Sequence, residues 1–256
     1  MAGLEPSSAQ LAAMRPTGAE ASAGGAHERR IPVEEALEAL LPEGSIRRGT
    51  AVAVGGHGSM TLAVALAAEA SRRGSWVAAV GMADLGVAAL AERGADLDRW
   101  ALVDPPAGSG GRGSWGAGLA ADVLGAVVDG FDLVLLGPGI RVTGATARRL
   151  PARIREHGTS LICACGGDVS GGFANSLQPE LRIVIEQTLW TGIDDGHGRL
   201  LARRAEVTVE GRGAASRPRR MLMWLPSQDG RVACAEPGQR SAFGDGLQDL
   251  TERRAG

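Results

Sequence analysis

The sequence contains no lysine and no tyrosine: all 27 basic residues are arginine, and the aromatic residues are five tryptophans and three phenylalanines. The missing lysine excludes Schiff-base catalysis, which requires an amine nucleophile. It also excludes the lysine with which a P-loop binds phosphate. Because 44% of the residues are hydrophobic and few are aromatic, we expect a core of alanine, valine, leucine and isoleucine.

Cysteine is also scarce. The sequence has three cysteines, at Cys163, Cys165 and Cys234. Such an odd, low count does not make a disulfide framework. Because the four histidines are scattered, the sequence predicts no metal site.

The net charge is -2, so the chain does not have the excess of basic residues that is typical of a general nucleic-acid binder. No run approaches the roughly 20 apolar residues that span a bilayer, and no signal-peptide pattern opens the chain. We therefore expect a cytoplasmic protein without a membrane partner.

The composition divides the chain into three parts. Residues 1–30 are rich in Ala, Gly, Ser and Pro without an apolar period, which predicts a flexible tail. Residues 31–235 carry the apolar segments and are predicted to form one core domain. Residues 236–256 are polar and glycine-rich and are predicted to be a second flexible tail.

Short apolar strands alternate with helices between residues 50 and 165. Their apolar runs, such as Thr50–Val54 and Ser160–Cys165, are continuous, which indicates burial on both faces of a parallel sheet. After Gly166, four strands are predicted with only turns between them, at residues 181–186, 200–209, 221–225 and 231–235. The sequence therefore predicts a doubly wound α/β fold whose mixed sheet has a parallel centre and a C-terminal antiparallel extension.

A glycine-rich segment joins the first central strand to the first long helix. Its candidate site residues are Gly55, Gly56, His57, Gly58, Ser59 and Thr61. In α/β folds, backbone N–H groups at such a helix N-terminus hold phosphate; a tight turn that needs glycine is the alternative interpretation. The P-loop template GxxxxGK[ST] fits in neither register, since Thr61 or Ser59 would replace the lysine. We therefore predict a degenerate nucleotide loop.

The acidic residue of an ATPase site is missing as well. This residue lies at the carboxyl end of a later strand, where it helps to hold Mg²⁺. Here the matching strand ends in Gly137, and Asp132 lies at its opposite end. Because phosphoryl transfer depends on positioned charge, we expect no ATP hydrolysis and no catalytic residue. The sequence implies no cofactor, although it leaves weak nucleotide binding open.

The order of these segments resembles that of RecA-type recombinases over about residues 30–210. The run Gly49–Val54 with the glycine loop resembles their P-loop region, Gly74–Val80 their second strand and Phe131–Leu136 their Walker B strand. The resemblance implies a RecA-like fold. In RecA an acidic residue after the second strand activates water; Asp84 is the nearest here, and we expect it to cap the next helix instead.

Within that superfamily, the chain is similar to the ImuA family in its actinobacterial ImuA-prime form. The likeness is carried by the GSWVA strand, the turn at Asp104-Pro105-Pro106, the segment Gly196–Arg204 and the run Arg217–Arg220 before Trp224. The resemblance implies a role in DNA-damage-induced mutagenesis and translesion synthesis. Its implied partners are an ImuB-like protein and an error-prone DnaE-type polymerase, with association to the nucleoid after DNA damage.

Arginines are dense between residues 199 and 220. We predict that the partner or DNA contacts are Arg203, Arg204, Arg217, Arg219, Arg220 and Trp224. A basic face can bind DNA phosphates or an acidic protein; a solvated strand-and-loop face is the ordinary alternative. Because the whole chain is slightly acidic, we favour a protein interface. The glycine-rich stretch Gly166–Ala174, at the place of RecA's second DNA-binding loop, has no arginine, so we expect no strand exchange.

Three functions remain open from the sequence. The first is a non-hydrolysing adaptor of a translesion polymerase complex. The second is a weak ATP-dependent DNA-binding protein of the recombinase type. The third is a Rossmann-type dinucleotide enzyme, whose ribose-binding acid is missing at Val80-Gly81-Met82. The sequence also leaves self-association open.

Overall fold

The computed structural model describes residues 30–105, 117–140, 142, 144–167, 169, 172–194 and 197–235. The predicted tails, apart from Arg30, lie outside the described residues. The strands, in chain order, are β1 (Arg30–Pro32), β2 (Ser45–Arg47), β3 (Ala51–Gly56), β4 (Val77–Val80), β5 (Trp100–Val103), β6 (Leu133–Leu136), β7 (Ser160–Ala164), β8 (Leu181–Asp194), β9 (His197–Gly211), β10 (Arg219–Trp224) and β11 (Ala233–Cys234). The helices are α1 (Glu35–Glu38), α2 (Ser59–Arg72), α3 (Val87–Glu92), α4 (Ala117–Gly130), α5 (Gly144–His157) and α6 (Gly172–Ser176).

Nine strands form one mixed sheet in the order β11-β10-β9-β8-β3-β7-β6-β4-β5. The strands from β8 to β5 are parallel, and β9, β10 and β11 add antiparallel neighbours to β8. This is the predicted parallel centre with an antiparallel extension. In the classic dinucleotide-binding order the first strand lies beside the second and fourth; here β3 lies between β7 and β8, which argues against the Rossmann interpretation.

The parallel centre is buried on both faces because helices cover both. Every residue of β4, β6 and β7 is buried. Alternate residues of β3 point to opposite sides, so Val52 packs into a core with α2, while Ala53 packs into a second core with α4 and α5. Helices on both faces account for the continuous apolar runs that the sequence shows in these strands.

Helix α2 forms where the sequence predicts it. Its interior is rich in alanine and leucine, which are strong helix formers, and Leu62 and Leu66 are fully buried. The helix begins after Gly58, whose φ of 99° is left-handed. It ends before Gly74, where the Ser75 N–H donates to the carbonyl of Ala70 over 2.9 Å. This end satisfies carbonyls of the last turn.

The antiparallel extension differs from the centre in having one covered face. Along β9, Ala205, Val207 and Val209 are buried in the α2-side core, while the residues between them are partly exposed. No residue of β9 or β10 belongs to the core formed with α4 and α5. Within the described chain, this leaves one face of the extension uncovered. None of the described helices is long and apolar enough to cross a membrane.

Candidate functional sites

The turn between β3 and α2 is only two residues long. β3 ends at Gly56 and α2 begins at Ser59, so His57 and Gly58 make the whole connection. A P-loop places four residues between its two glycines so that the backbone can wrap around phosphate groups. This turn is too short for such a wrap, which agrees with the failure of the sequence template in both registers.

Two polar groups of the glycine loop bond to the segment after β7. The Gly56 N–H donates to the carbonyl of Gly167 over 3.1 Å, and Ser59 Oγ accepts a hydrogen bond from the Gly166 N–H over 3.2 Å. A Cβ atom on Gly55 would overlap with the Gly167 carbonyl oxygen. The loop therefore packs directly against the segment after β7, and the Gly56 N–H is not free for an anion.

The carboxyl ends of β4 and β6 are also closed against each other. The Gly137 N–H donates to the carbonyl of Val80 over 2.9 Å. A Cβ atom on Gly137 would overlap with the carbonyl oxygen of Gly81. An aspartate at position 137, where a Walker B strand needs one, therefore has no room in this structure.

The structure also places the two other acidic residues that were considered from the sequence, Asp132 and Asp84. Asp132, at the amino end of β6, accepts hydrogen bonds from Arg48 Nη1 (2.6 Å) and from the Trp76 N–H (2.8 Å). It thus links the start of β6 to the segments that precede β3 and β4. Asp84 is exposed, and the N-cap of α3 is Gly86, without a side-chain hydrogen bond. The prediction that Asp84 caps this helix is wrong, because the helix starts after Gly86.

Arg203 lies inside the molecule beside the glycine loop. Its residue is 7% exposed, and a Cβ atom on Gly58 would overlap with its guanidinium. Its Nε donates to the carbonyl of Leu225 over 2.6 Å, and its Cζ lies 5.3 Å from the centroid of the Trp190 ring. This position corrects the prediction of Arg203 as an outward contact: in this structure its charge faces the N-terminus of α2.

The burial of Arg203 disfavours its charge. Removal from water lowers the pKa of Arg203, and the neighbouring cation Arg93 lowers it further. Both effects act in the same direction because each makes the protonated guanidinium less favourable. A cation in this position therefore lacks the compensation that buried charges usually have.

The other predicted arginines do not form one basic face. Arg219 donates to the carbonyl of Leu41 over 2.9 Å. Arg220 pairs with Glu186 (3.2 Å) and Glu206 (3.3 Å). Arg217 is exposed. Neighbouring strand residues point to opposite sides, so the dense run of arginines is divided between two faces, and carboxylates neutralise part of it.

Arg204 and Trp224 do lie together, on the uncovered face. Arg204 of β9 is paired in register with Trp224 of β10 on one side and with Leu189 of β8 on the other. Cross-strand partners share a face, so the three side chains form one row. We call this row the open-face row. Leu189 is 36% exposed, and the buried Nε of Arg204 has no hydrogen-bond partner among the described residues.

The row continues into a ribbon that the sequence analysis missed. β3 pairs with β8 only as far as Ile185, and β10 pairs with β9 only as far as Arg204. The backbone of Arg203 still bonds to Leu225 and Pro226, and beyond it β8 and β9 pair only with each other within the described chain. Exposed apolar side chains on this two-stranded ribbon include Ile193, Leu200 and Leu201. The signal in the sequence was the apolar run after Thr188, which the predicted strand end at Glu186 left out.

Comparisons with known proteins agree with this architecture. A family model described as the MT3502 N-terminal domain matches residues 39–171. The uncharacterized Mycobacterium tuberculosis protein Rv3395c is 32% identical over 176 residues, which cover 68% of this chain and 80% of that protein. A crystal structure of the RadB recombinase matches with a TM-score of 0.50 and 15% identity, over 79% of this chain and 97% of that chain.

The two kinds of likeness support different statements. At 15% identity the RadB likeness shows the fold alone, and it confirms the RecA-like fold that the sequence predicts. The family model matches more than half of the chain and includes the glycine loop and the strand before Gly137. The chain therefore belongs to the MT3502 N-terminal domain family, together with the mycobacterial relative Rv3395c.

Proposed function

We propose that this protein is a non-hydrolysing, RecA-like accessory protein of DNA-damage-induced mutagenic translesion synthesis. It acts by binding an ImuB-like protein and, in the same complex, an error-prone DnaE-type polymerase. The RecA-like fold supports a role in DNA repair or recombination. The resemblance of the GSWVA strand and of the segment up to Arg204 to the ImuA family supports the more specific role.

One observation carries the non-hydrolysing part of the proposal: the glycine loop is closed. A two-residue turn, an occupied Gly56 N–H and a sterically blocked position 137 remove the phosphate cradle and the magnesium-binding carboxylate together. ATP hydrolysis needs both, since the protein's contribution to phosphoryl transfer is almost entirely positioning and charge. The fold thus serves as a scaffold for binding.

The open-face row supports the binding part of the proposal. Tryptophan and arginine are enriched among residues that dominate binding energy, and such residues lie where water is excluded. Trp224 and Arg204 lie side by side in register on the uncovered face, with Leu189 next to them. An apolar residue, a partly desolvated cation and an aromatic ring in one row suit a protein partner with an acidic residue beside an apolar one.

Hydrolysis is tested by measuring phosphate release from ATP by the purified chain, with an active RecA-type ATPase as positive control. We expect no release above the buffer background, with or without single-stranded DNA. A rate above background that disappears in Ser59→Ala or Thr61→Ala would contradict the proposal, because these residues are the remaining hydroxyl donors of the loop.

Binding is tested by affinity purification of the tagged full-length protein from cells after DNA damage, and then with the purified ImuB-like protein. We expect Trp224→Ala and Arg204→Ala each to weaken binding about 30-fold, the effect of a loss of about 2 kcal/mol at a hot spot. Ser59→Ala, on the opposite side of the sheet, serves as the control and retains binding. Circular dichroism confirms that the variants fold. Unchanged affinity in both row variants would exclude this face.

A further inference from the structure

A pocket of about 360 Å³ lies between α2 and α3, beside the glycine loop. Most of its walls are apolar: Met60 and Val64 of α2, Leu85 and Leu90 near α3, and the ring of Trp190 from the ribbon. Concave, mostly apolar pockets with a few polar groups are the usual form of small-ligand sites. The polar groups of this pocket therefore decide which ligand it suits.

Arg93 is the cation in the wall of the pocket. The residue is only 6% exposed, and its Nη1 atom is buried without a hydrogen-bond partner among the residues that the structure describes. Burial lowers the pKa of Arg93, while Glu34 and Asp229 act in the opposite direction through their charge. Neither acid forms an ion pair with Arg93 among the described residues, so the Nη1 donor of this pocket-lining residue has no acceptor.

Arg203 adds a second unmatched donor behind Trp190. Its Nη2 atom is also buried without a partner among the described residues. Its guanidinium lies against Gly58, the N-cap of the 14-residue helix α2. The N-terminus of a helix carries a positive partial charge. Two buried guanidinium groups and a helix N-terminus thus converge here, and a bound anion would give hydrogen-bond acceptors to the two nitrogen atoms that lack them.

We infer that this pocket binds a carboxylate that is attached to an apolar group. The carboxylate pairs first with Arg93, which lines the pocket, and reaches Arg203 when the exposed ring of Trp190 turns aside. Guanidinium groups suit carboxylates because they can form two parallel hydrogen bonds. The apolar group lies against Val64 and Leu90. Free organic acids and protein segments with an acidic residue beside an apolar one share this chemistry.

A nucleoside triphosphate fits the pocket poorly. Asp84 and Glu92 also line it, and their charges repel a ligand with several negative charges. A single carboxylate brings much less negative charge into the pocket, so that Arg93 and the nearby Arg203 offset the repulsion from Asp84 and Glu92 more readily than for a triphosphate. This inference does not depend on the proposed function: the pocket and the open-face row lie on opposite faces of the sheet, so each can fail without the other.

The test is a titration of the ¹⁵N-labelled full chain with 3-phenylpropionate, followed by ¹H–¹⁵N NMR. We expect saturable shifts of the Trp190 indole signal and of the Met60 and Thr61 amides. The uncharged 3-phenylpropionamide, which has the same shape, should bind at least tenfold more weakly. Arg93→Met and Arg203→Met should each weaken binding of the acid at least tenfold, while the exposed Arg217→Met leaves it unchanged.

A second arm uses the blocked dipeptide acetyl-Asp-Leu-amide. Tighter binding of the dipeptide than of 3-phenylpropionate assigns the pocket to protein segments, and the reverse order assigns it to free acids. The inference is overturned if the amide binds as tightly as the acid, if neither probe shifts these signals, or if ATP shifts them at lower concentration than the acid. If an arginine variant does not fold, the comparison of 3-phenylpropionate with 3-phenylpropionamide on the unmodified protein still tests the inference.

Discussion

The parallel centre and the antiparallel extension belong to one sheet, but they differ in how many of their faces are covered. In the centre, β4, β6 and β7 are buried on both faces, and glycines at Gly55 and Gly137 close the edge where a RecA-type ATPase would hold nucleotide. In the extension, one face of β9 and β10 stays uncovered in the described chain, and the ribbon exposes apolar side chains. The edge that holds nucleotide in a RecA-type ATPase is closely packed here, and the surface that we propose for partner binding lies in the extension.

The family model divides the molecule at the same place. It matches residues 39–171, which contain β3 to β7 and end before β8. The open-face row and the ribbon lie outside the matched residues. The glycine loop therefore lies within the matched residues, whereas the surface that we propose for binding belongs to the remaining strands.

The largest effect is expected from Gly137→Asp, which introduces the acid that a Walker B strand carries. Because a Cβ atom there overlaps with the Gly81 carbonyl, and a carboxylate would be desolvated, we expect a loss of about 4 kcal/mol or more in the free energy of unfolding. Urea denaturation measures it. Gly130→Ala is the control, since a Cβ atom on Gly130 meets no neighbour. A stable Gly137→Asp protein would show that the edge is open after all.

A matched pair of leucines compares the two regions directly. Leu135 of β6 is fully buried, whereas Leu189 of the open-face row is 36% exposed. We expect Leu135→Ala to lower the unfolding free energy by about 3 kcal/mol and Leu189→Ala by about 0.5 kcal/mol or less. Chemical denaturation of both variants under one condition tests this. Equal losses would mean that the ribbon is as well packed as the centre.

The smallest effect concerns surface charge on α2. Burial raises the pKa of Glu69, but hydrogen bonds from Arg73 and Arg72 outweigh it, so the pKa lies below its ordinary value of 4.5. A carboxylate with a lowered pKa stabilises the fold above its unfolded pKa and loses this contribution as the pH falls through the folded pKa. We expect Glu69→Gln to cost about 0.5 kcal/mol at pH 7, since the pairs are near the surface.

The same measurement over a pH series checks the sign. The difference between Glu69→Gln and the unmodified protein should shrink as the pH falls below 4.5. Glu206→Gln, in an exposed ion pair of the extension, is the companion variant and should change stability by about 0.5 kcal/mol or less. A difference that grows on acidification would show that burial, and not the arginines, controls Glu69.

Strand and helix positions followed from the sequence where the apolar pattern was long. Strand β7 ends one residue before the predicted Ser160–Cys165, and β6 lies within the run Phe131–Leu136 that resembles the Walker B strand. The short helix α6 was missed because it lies in a glycine-rich stretch, although its Phe173 is buried. The three-residue strands β1 and β2 were missed because they are too short for a period-2 pattern to show.

The arginine-rich segment shows a second limit of prediction from the sequence. Its density suggested one basic surface, but Arg203 and Arg204 are adjacent in β9 and so face opposite sides. The alternation of side chains along a strand is enough to predict that these two arginines lie on opposite faces. It does not predict that Arg203 would lie against Gly58, since this contact joins residues far apart in the chain. The carboxylates that pair with Arg220 likewise come from two other strands.

The absence of the lysine and of the Walker B aspartate of an ATPase can be read from the residues alone, because a missing side chain is missing in every conformation. The features found in their place follow from the tertiary structure: a loop that packs against the segment after β7, and two buried guanidinium groups near a pocket. Such arrangements depend on which backbone atoms meet across distant strands, and on which charges lose their water when they do.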